Sequence, residues 1–249
     1  MALREELKAQ GGFLFKYRGY LPVLFLVAGL IMIGYEAAYF KEHSSSTISE
    51  ILKSSCVFVG FLGLLIRCFT VGYTPVNTSG RKDKLVADTL NTTGLYSIIR
   101  NPLYVGNYLM WLAVCMLTGN LWFVVLFTFV FWMYYERIIY AEEEFLRDKF
   151  KSVYLDWTEK TPIFVPKHLN YKKPNIPFNW RRVLEKERNG LFLLCLLFYL
   201  FAFVENYVKT GTVLLTDSWE FNATIVTGVI FIILKFLEKK TTVLEKLEK

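Results

Sequence analysis

Histidine is almost missing from this chain: there are two in 249 residues, His43 and His168. On the topology argued below they fall in loops on opposite faces, which argues against a histidine-built metal centre or proton relay, and no metal is expected. Cysteine is nearly as scarce, at four. Cys56, Cys68, Cys115 and Cys195 sit in or beside apolar runs with no paired spacing, so they read as small hydrophobes, not disulfide partners or metal ligands. No internal repeat is visible, and low complexity is confined to the Lys/Glu tail. A cleaved signal is not expected either. Residues 1–19 carry Arg4, Glu5, Glu6, Lys8, Lys16 and Arg18, too charged and too long for an n-region.

What the chain has in excess is apolar surface. Hydrophobic residues make up 54% and aromatics 17%, and the mean hydropathy is +0.34, well beyond the ~45–50% apolar content of a soluble domain. Six apolar spans stand out, near 20–40, 54–72, 103–117, 121–140, 190–208 and 221–237. The expected fold is all-α: a polytopic membrane protein of about six transmembrane helices with a cofactor pocket at the cytoplasmic face. The net charge of +7 could suggest nucleic acid, but topology accounts for it. With a cytoplasmic N-terminus, all of the 29 Lys and Arg except Lys41, Lys53 and Lys209 lie on the cytoplasmic side. That asymmetry predicts both termini inside, in a bacterial inner membrane or the endoplasmic reticulum, and no nucleic-acid partner.

The expected organisation is an interfacial segment (1–19), two spans (20–73), a core of connector, helical hairpin and cytoplasmic helix (74–166), then a basic loop, two accessory spans and a tail (167–249). The core stretch from Thr93 to Pro166 organises the rest. Its two apolar runs are joined by Thr118-Gly119-Asn120, too short for anything but an antiparallel hairpin, so both outer ends meet at one membrane face. Asn101-Pro102 reads as N-cap and first helical residue. At ~1.5 Å per residue, Glu142 lies roughly 32 Å beyond Leu121, level with the headgroups. Arg100, Asn101, Tyr104, Glu142 and Glu143 are thereby expected in one polar cluster.

Taken singly, each feature has a plainer reading. Asn101-Pro102 is a helix start, and Glu142-Glu143-Glu144 a solvated helix face. The run Arg81, Lys82, Lys84 is a surface facing anionic lipid. Arg67, one or two turns inside its span, is a side chain snorkelling to phosphates or a ligand contact. The aromatics Trp122, Trp132, Tyr134, Tyr135 and Tyr140 are packing and interfacial belt.

In combination the residues resemble a known family. Thr93-Gly94-Leu-Tyr96-Ser-Ile-Ile-Arg100-Asn101-Pro102-Leu-Tyr104-Val-Gly106, then Asn120, Glu142-Glu143, Leu146, Phe150, Tyr154, Pro162 and Pro166, is similar to the core of the isoprenylcysteine carboxyl methyltransferases and related phospholipid methyltransferases. The similarity covers roughly 80–166 and, loosely, the two preceding spans. It implies S-adenosylmethionine as cofactor, held by Asp88, Thr89, Leu90, Asn91, Tyr96, Asn101, Pro102, Leu103, Tyr104 and Glu142, with Arg81 as a weaker contact. Arg100 and Glu143 are the expected catalytic residues, and Arg137 and Arg67 the expected substrate contacts. A sulfonium and an ammonium suit carboxylates and aromatic faces, while a carboxylate suits an arginine or a helix N-terminus.

The chain departs from the family pattern at several points. Asn101 stands where histidine is usual, and it cannot titrate near neutral pH. Ile138 stands where the carboxyl methyltransferases carry a substrate-holding arginine, and Arg137 is one step, roughly 100°, around the helix. Lys151 replaces a glycine and Trp157 a tyrosine. The reading is a methyltransferase acting on the polar head of a membrane lipid or lipidated substrate, with a carboxylate or phosphate oxygen favoured. An amine headgroup acceptor, a sterol-type reductase using NADPH, and a non-catalytic lipid-binding protein are the alternatives.

Overall fold

The computed structural model describes residues 2–39, 46–75, 86–167, 170–213 and 216–240, without the side chains of residues 46–49. Arg81, Lys82, Lys84 and both histidines lie outside the described residues. The regular elements among those described are helices: α1 (Leu3–Lys16), α2 (Tyr20–Tyr39), α3 (Ser46–Gly72), a 3-10 turn at Leu95–Ser97, α4 (Pro102–Met116), α5 (Leu121–Lys160), α6 (Trp180–Thr210) and α7 (Trp219–Lys240). The protein is a polytopic membrane protein. Five of the six expected spans are helices long and apolar enough to cross a bilayer. The sixth, α4, has 15 residues, so at ~1.5 Å per residue it reaches only about 22 Å.

Local signals explain where the helices stop and start. Asn120 caps α5, its Oδ1 accepting from Phe123 N at 3.0 Å, and Asn179 caps α6 in the same way through Arg182 N at 3.0 Å. Gly119, at φ 71°, supplies the left-handed residue of the hairpin turn. The Asn120 amide also donates to Glu36 on α2, at 2.8 Å, which ties the turn end of the hairpin to α2. The buried stripe of α5 (Phe123, Phe127, Phe131, Tyr135, Ile138) recurs every three or four positions, as one helical face requires. It packs with Phe15, Cys115, Tyr104 and Tyr108, while Trp122 and Trp132 face outward, consistent with an aromatic belt.

Helices α3 and α4 approach closely at Gly63 and Gly106. A Cβ on Gly106 would lie 2.5 Å from Arg67 Cγ and 2.8 Å from the Gly63 carbonyl oxygen, and one on Gly63 would lie 2.7 Å from the Gly106 oxygen. Small residues are what allow such backbone approach. The N-terminal helix α1 runs antiparallel to the inner part of α5: Arg4 pairs with Glu144 at 2.5 Å, and the Tyr134 hydroxyl donates to the Leu14 carbonyl at 3.0 Å. Part of the surface expected to lie on the membrane is thus spent on α5.

Helix α5 bends at Lys151, whose φ of 48° and ψ of −121° are not helical. That region favours glycine, and a side chain there carries strain of about 1–3 kcal/mol. Lys151 is the position where the resembling family has glycine. Lys151→Gly is therefore expected to stabilise the protein by about 1 kcal/mol after the entropy cost of glycine, read as a higher midpoint of thermal unfolding in detergent. An equal or lower midpoint would mean that the bend does not strain the backbone.

Candidate functional site

The bend carries the last turns of α5 onto the connector that precedes α4. The Trp157 indole N–H donates to the Tyr96 carbonyl at 3.2 Å. Arg100 N donates to Pro162 O at 2.8 Å and Asn101 N to Ile163 O at 3.3 Å. On its other side the connector bridges to the basic loop, with Gly94 N to Lys172 O at 2.9 Å and Lys172 N to Ser97 Oγ at 2.9 Å. Residues 94–101 are held from both sides.

At the centre of this frame, Arg100 Nη1 faces Glu143 Oε1 at 3.2 Å, with the two side chains 14% and 20% exposed. Tyr154 is buried beside this pair at 1% exposure. Four buried polar atoms here make no well-formed hydrogen bond: Arg100 Nε, Asn101 Nδ2, Glu143 Oε1, which keeps only its ion pair to Arg100, and Tyr154 Oη, which lies beside that pair. Such atoms are costly to bury without a partner, and four of them cluster here. Asn101 is at the N-cap of α4 as the sequence implies, yet its side chain makes no capping bond.

Glu142, one residue on, is beyond the 121–140 span. Burial pushes its carboxyl up to about 7, against the hydroxyl donated by Tyr104 and the Arg18 guanidinium, while neighbouring Glu143 raises it further. Burial also raises the Glu143 carboxyl, opposed first by Arg100. The Tyr96 phenol is raised by burial and by Glu142. Tyr96, Tyr104 and Glu142 therefore share one environment, with the Tyr104 ring 4.9 Å from that of Tyr135.

The structure thus joins Arg100, Asn101 and Glu143 in one group, and Tyr96, Tyr104 and Glu142 in an adjoining one. Pro102 is buried and Leu103 half-buried at the start of α4. Asp88 and Thr89 are exposed, Leu90 and Asn91 half-buried. No side-chain hydrogen bond or ion pair joins these four to Arg100 or Glu143 among the described residues. Arg81 is not described.

The two expected substrate arginines are both engaged within the protein. Arg137 donates to Gln10 Oε1 at 3.0 Å and to the Met133 carbonyl at 2.7 Å, so it is turned to α1, while Ile138 takes the buried face at 0% exposure. The rotation of one residue around the helix is the reason. Arg67 neither snorkels nor offers an open fork. Nε and Nη2 donate to Glu187 Oε2 and Oε1 at 2.7 and 2.6 Å, and Nη1 to Asn107 Oδ1 at 2.5 Å. Two residues were not expected at the site. Arg18, in the turn after α1, brings its charge near Glu142 because α1 packs on α5, which no local pattern announces. Tyr154 stands in the motif, but nothing in its spacing shows that its hydroxyl meets Glu143.

S-adenosylmethionine can be tested against these groups. Its carboxylate, ammonium and hydroxyls need both donors and acceptors, and the residues here supply both: an N–H donor at Asn101 Nδ2, and the Glu142 carboxylate with the Tyr96 and Tyr104 rings beside it. The donor set fits. Among the described residues no group of three or more His, Cys, Asp or Glu could hold a metal ion.

Comparison with known proteins gives a consistent picture. Residues 59–153 match the family model described as phospholipid methyltransferase. The chain is 33% identical over 91 residues to the protein-S-isoprenylcysteine O-methyltransferase of Schizosaccharomyces pombe, covering 36% of this chain and 37% of the relative. It is 25% identical over 130 residues to the Saccharomyces cerevisiae protein of the same name, covering 51% and 53%. The cobalt-zinc-cadmium resistance protein CzcN of Cupriavidus metallidurans is 33% identical over 116 residues, with 46% and 50% covered. The chain thus spans between about a third and a half of the length of these relatives. No solved structure matches it significantly.

Proposed function

We propose, given that residues 59–153 belong to the phospholipid methyltransferase family, that the whole protein is an integral membrane methyltransferase using S-adenosylmethionine and acting on the polar head of a membrane amphiphile. The observation that carries this reading is the cluster of four orphaned polar atoms on Arg100, Asn101, Glu143 and Tyr154, in the stretch that carries the motif. When bound, the cofactor supplies an electrophilic methyl group on a sulfonium. Glu142, fixed by the Tyr104 hydroxyl, holds a cationic or hydroxyl part of it. Asn101 orients and does not act as a base, because an amide does not titrate. Arg100 and Glu143 bring opposite charges to one place, so the acceptor head can be gripped and turned toward the methyl group.

An acceptor that is already an anion, a carboxylate or a phosphate, needs no general base. Alignment at attack distance and stripping of water from the nucleophile then supply most of the rate. The short α4 supports entry from the bilayer. Its outer end is level with Glu36 of α2, and about 22 Å further on the Arg100-Asn101 cap is recessed relative to a ~30 Å hydrocarbon layer.

Titration calorimetry of the purified protein in detergent tests the cofactor. S-adenosylmethionine should bind and S-adenosylhomocysteine compete, and binding of NADPH in their place would favour a reductase. Glu142→Gln should weaken cofactor binding by about 1.5–3 kcal/mol, the range for a hydrogen bond to a charged group. The sign of the pH effect follows from the raised carboxyl. Below about 7 Glu142 is protonated, so affinity for a cation should rise with pH up to that value and level off above it, and Glu142→Gln should abolish the dependence. Unchanged affinity in the variant would leave Glu142 as part of a helix face.

The orientation proposed has both termini in the cytoplasm. The two described Lys residues on the opposite side, Lys53 and Lys209, share one carboxylate, Glu205, at 3.2 and 2.6 Å, which further reduces positive charge there. A reporter fused after Lys249 should be active only on the cytoplasmic side. Activity on the outer side would overturn the arrangement.

A further inference from the structure

The family match ends at residue 153, but the structure does not end the core there. The segment after it returns to the core at several points. Besides the Lys172 bridge to Gly94, Asn179 N donates to the Gly72 carbonyl at 2.9 Å. The Phe178 ring lies over Gly72, where a Cβ would collide with it, and packs edge-on against Tyr73 with centroids 5.0 Å apart. Then, two turns into α6, Glu187 takes both prongs of Arg67 at 2.7 and 2.6 Å. This pair is secluded, with Arg67 12% and Glu187 4% exposed.

The path of Arg67 is the informative part. Its stem runs from α3 across Gly106, the last residue of the motif, with Cγ 2.5 Å from where a Cβ would stand. Its third donor is taken by Asn107 on α4. One guanidinium thus pins three helices immediately behind the Tyr96–Glu142 side of the site, and the Arg67 charge is felt at the Tyr96 hydroxyl. With Nε, Nη1 and Nη2 all engaged, Arg67 is placed to hold the site and not to grip a ligand.

We infer that Glu187 and Arg67 are positioning residues of the methyl-transfer site, so that α6, outside the family-matched stretch, is part of the methyltransferase core. The inference rests on the function proposed above. Glu187 keeps Arg67 across Gly106, and through it fixes where α4 and Tyr96 present themselves to the cofactor. A pair that only stabilised the fold would behave differently. Removing one member strands a buried charge, whereas removing both can leave stability nearly unchanged.

The experiment compares wild type, Glu187→Gln and the double variant Arg67→Gln/Glu187→Gln, each full length in detergent, by S-adenosylmethionine dissociation constant and thermal midpoint. Glu187→Gln should lower the midpoint and weaken binding by at least about tenfold, since small misplacements at a site are amplified. The double variant should regain the midpoint but stay weak in binding. Recovery of affinity along with the midpoint would overturn the inference, as would a Glu187→Gln affinity within about twofold of wild type. Should the single variant not fold, the neutral double variant decides alone. Wild-type protein that binds no S-adenosylmethionine would instead refute the proposed function, which separates the two failures.

Discussion

Gly106→Val is expected to leave little folded protein. The Cβ alone would stand 2.5 Å from Arg67 Cγ and 2.8 Å from a backbone oxygen of α3, and valine adds two branches in a helix that restricts them. Backbone cannot yield as a long side chain can, so α3 and α4 must separate. Overpacking costs about 1–3 kcal/mol, and displacing Arg67 from its buried carboxylate adds about 3–5 kcal/mol. The sum approaches the whole stability of a typical domain, about 5–15 kcal/mol. The measurement is the yield of monodisperse protein from detergent and its thermal midpoint. A midpoint within a few degrees of wild type would show that the crossing can open without loss.

The second large effect concerns Arg100. Its guanidinium is the charge that chiefly opposes burial at Glu143, and it contributes one of the four orphaned donors and acceptors at the site. Arg100→Gln would remove the charge that opposes the effect of burial on the Glu143 carboxyl, so that carboxyl should move further up, and would remove a positive charge from the place where an anionic head is to be turned. Methyl transfer is expected to fall on the order of 10²-fold, the loss typical of one preorganised electrostatic group. Labelled S-adenosylmethionine with lipid extract as acceptor reads it out. Glu142→Gln should act chiefly on cofactor affinity, so the two variants should separate in a plot of turnover against KM for the cofactor. Coincidence of the two would argue against the division of labour between Glu142 and the Arg100–Glu143 pair.

The sequence by itself determined the elements. Apolar runs, the Asn101-Pro102 helix start and the Thr118-Gly119-Asn120 turn act over a few residues, so their message survives without the fold. It also determined that the two ends of the hairpin meet, because a three-residue turn leaves no other course. Arg100 and Glu143 could be paired on that ground alone. The length of α4 was legible too, since the run from Leu103 to Leu117 and the helix Pro102–Met116 coincide within one residue.

Only the tertiary structure decided which arginine faces what. Arg67, Arg137 and Arg18 are alike in composition, and they stand on α3, on α5 and in the turn after α1, whose neighbours are set by packing across large sequence separations. Arg67 meets Glu187 because Gly106 leaves room for its stem. Arg137 turns to Gln10 because Ile138 fills the buried stripe. Arg18 approaches Glu142 because α1 lies along α5. The bend at Lys151 belongs here too: lysine forecasts no positive φ, and the backbone takes it because Tyr154, Trp157 and the Pro162 carbonyl are all held by the connector. A local pattern encodes which face of a helix is apolar. Which polar atoms then meet on the remaining faces depends on the angle at which helices cross, and that is a property of the packed whole.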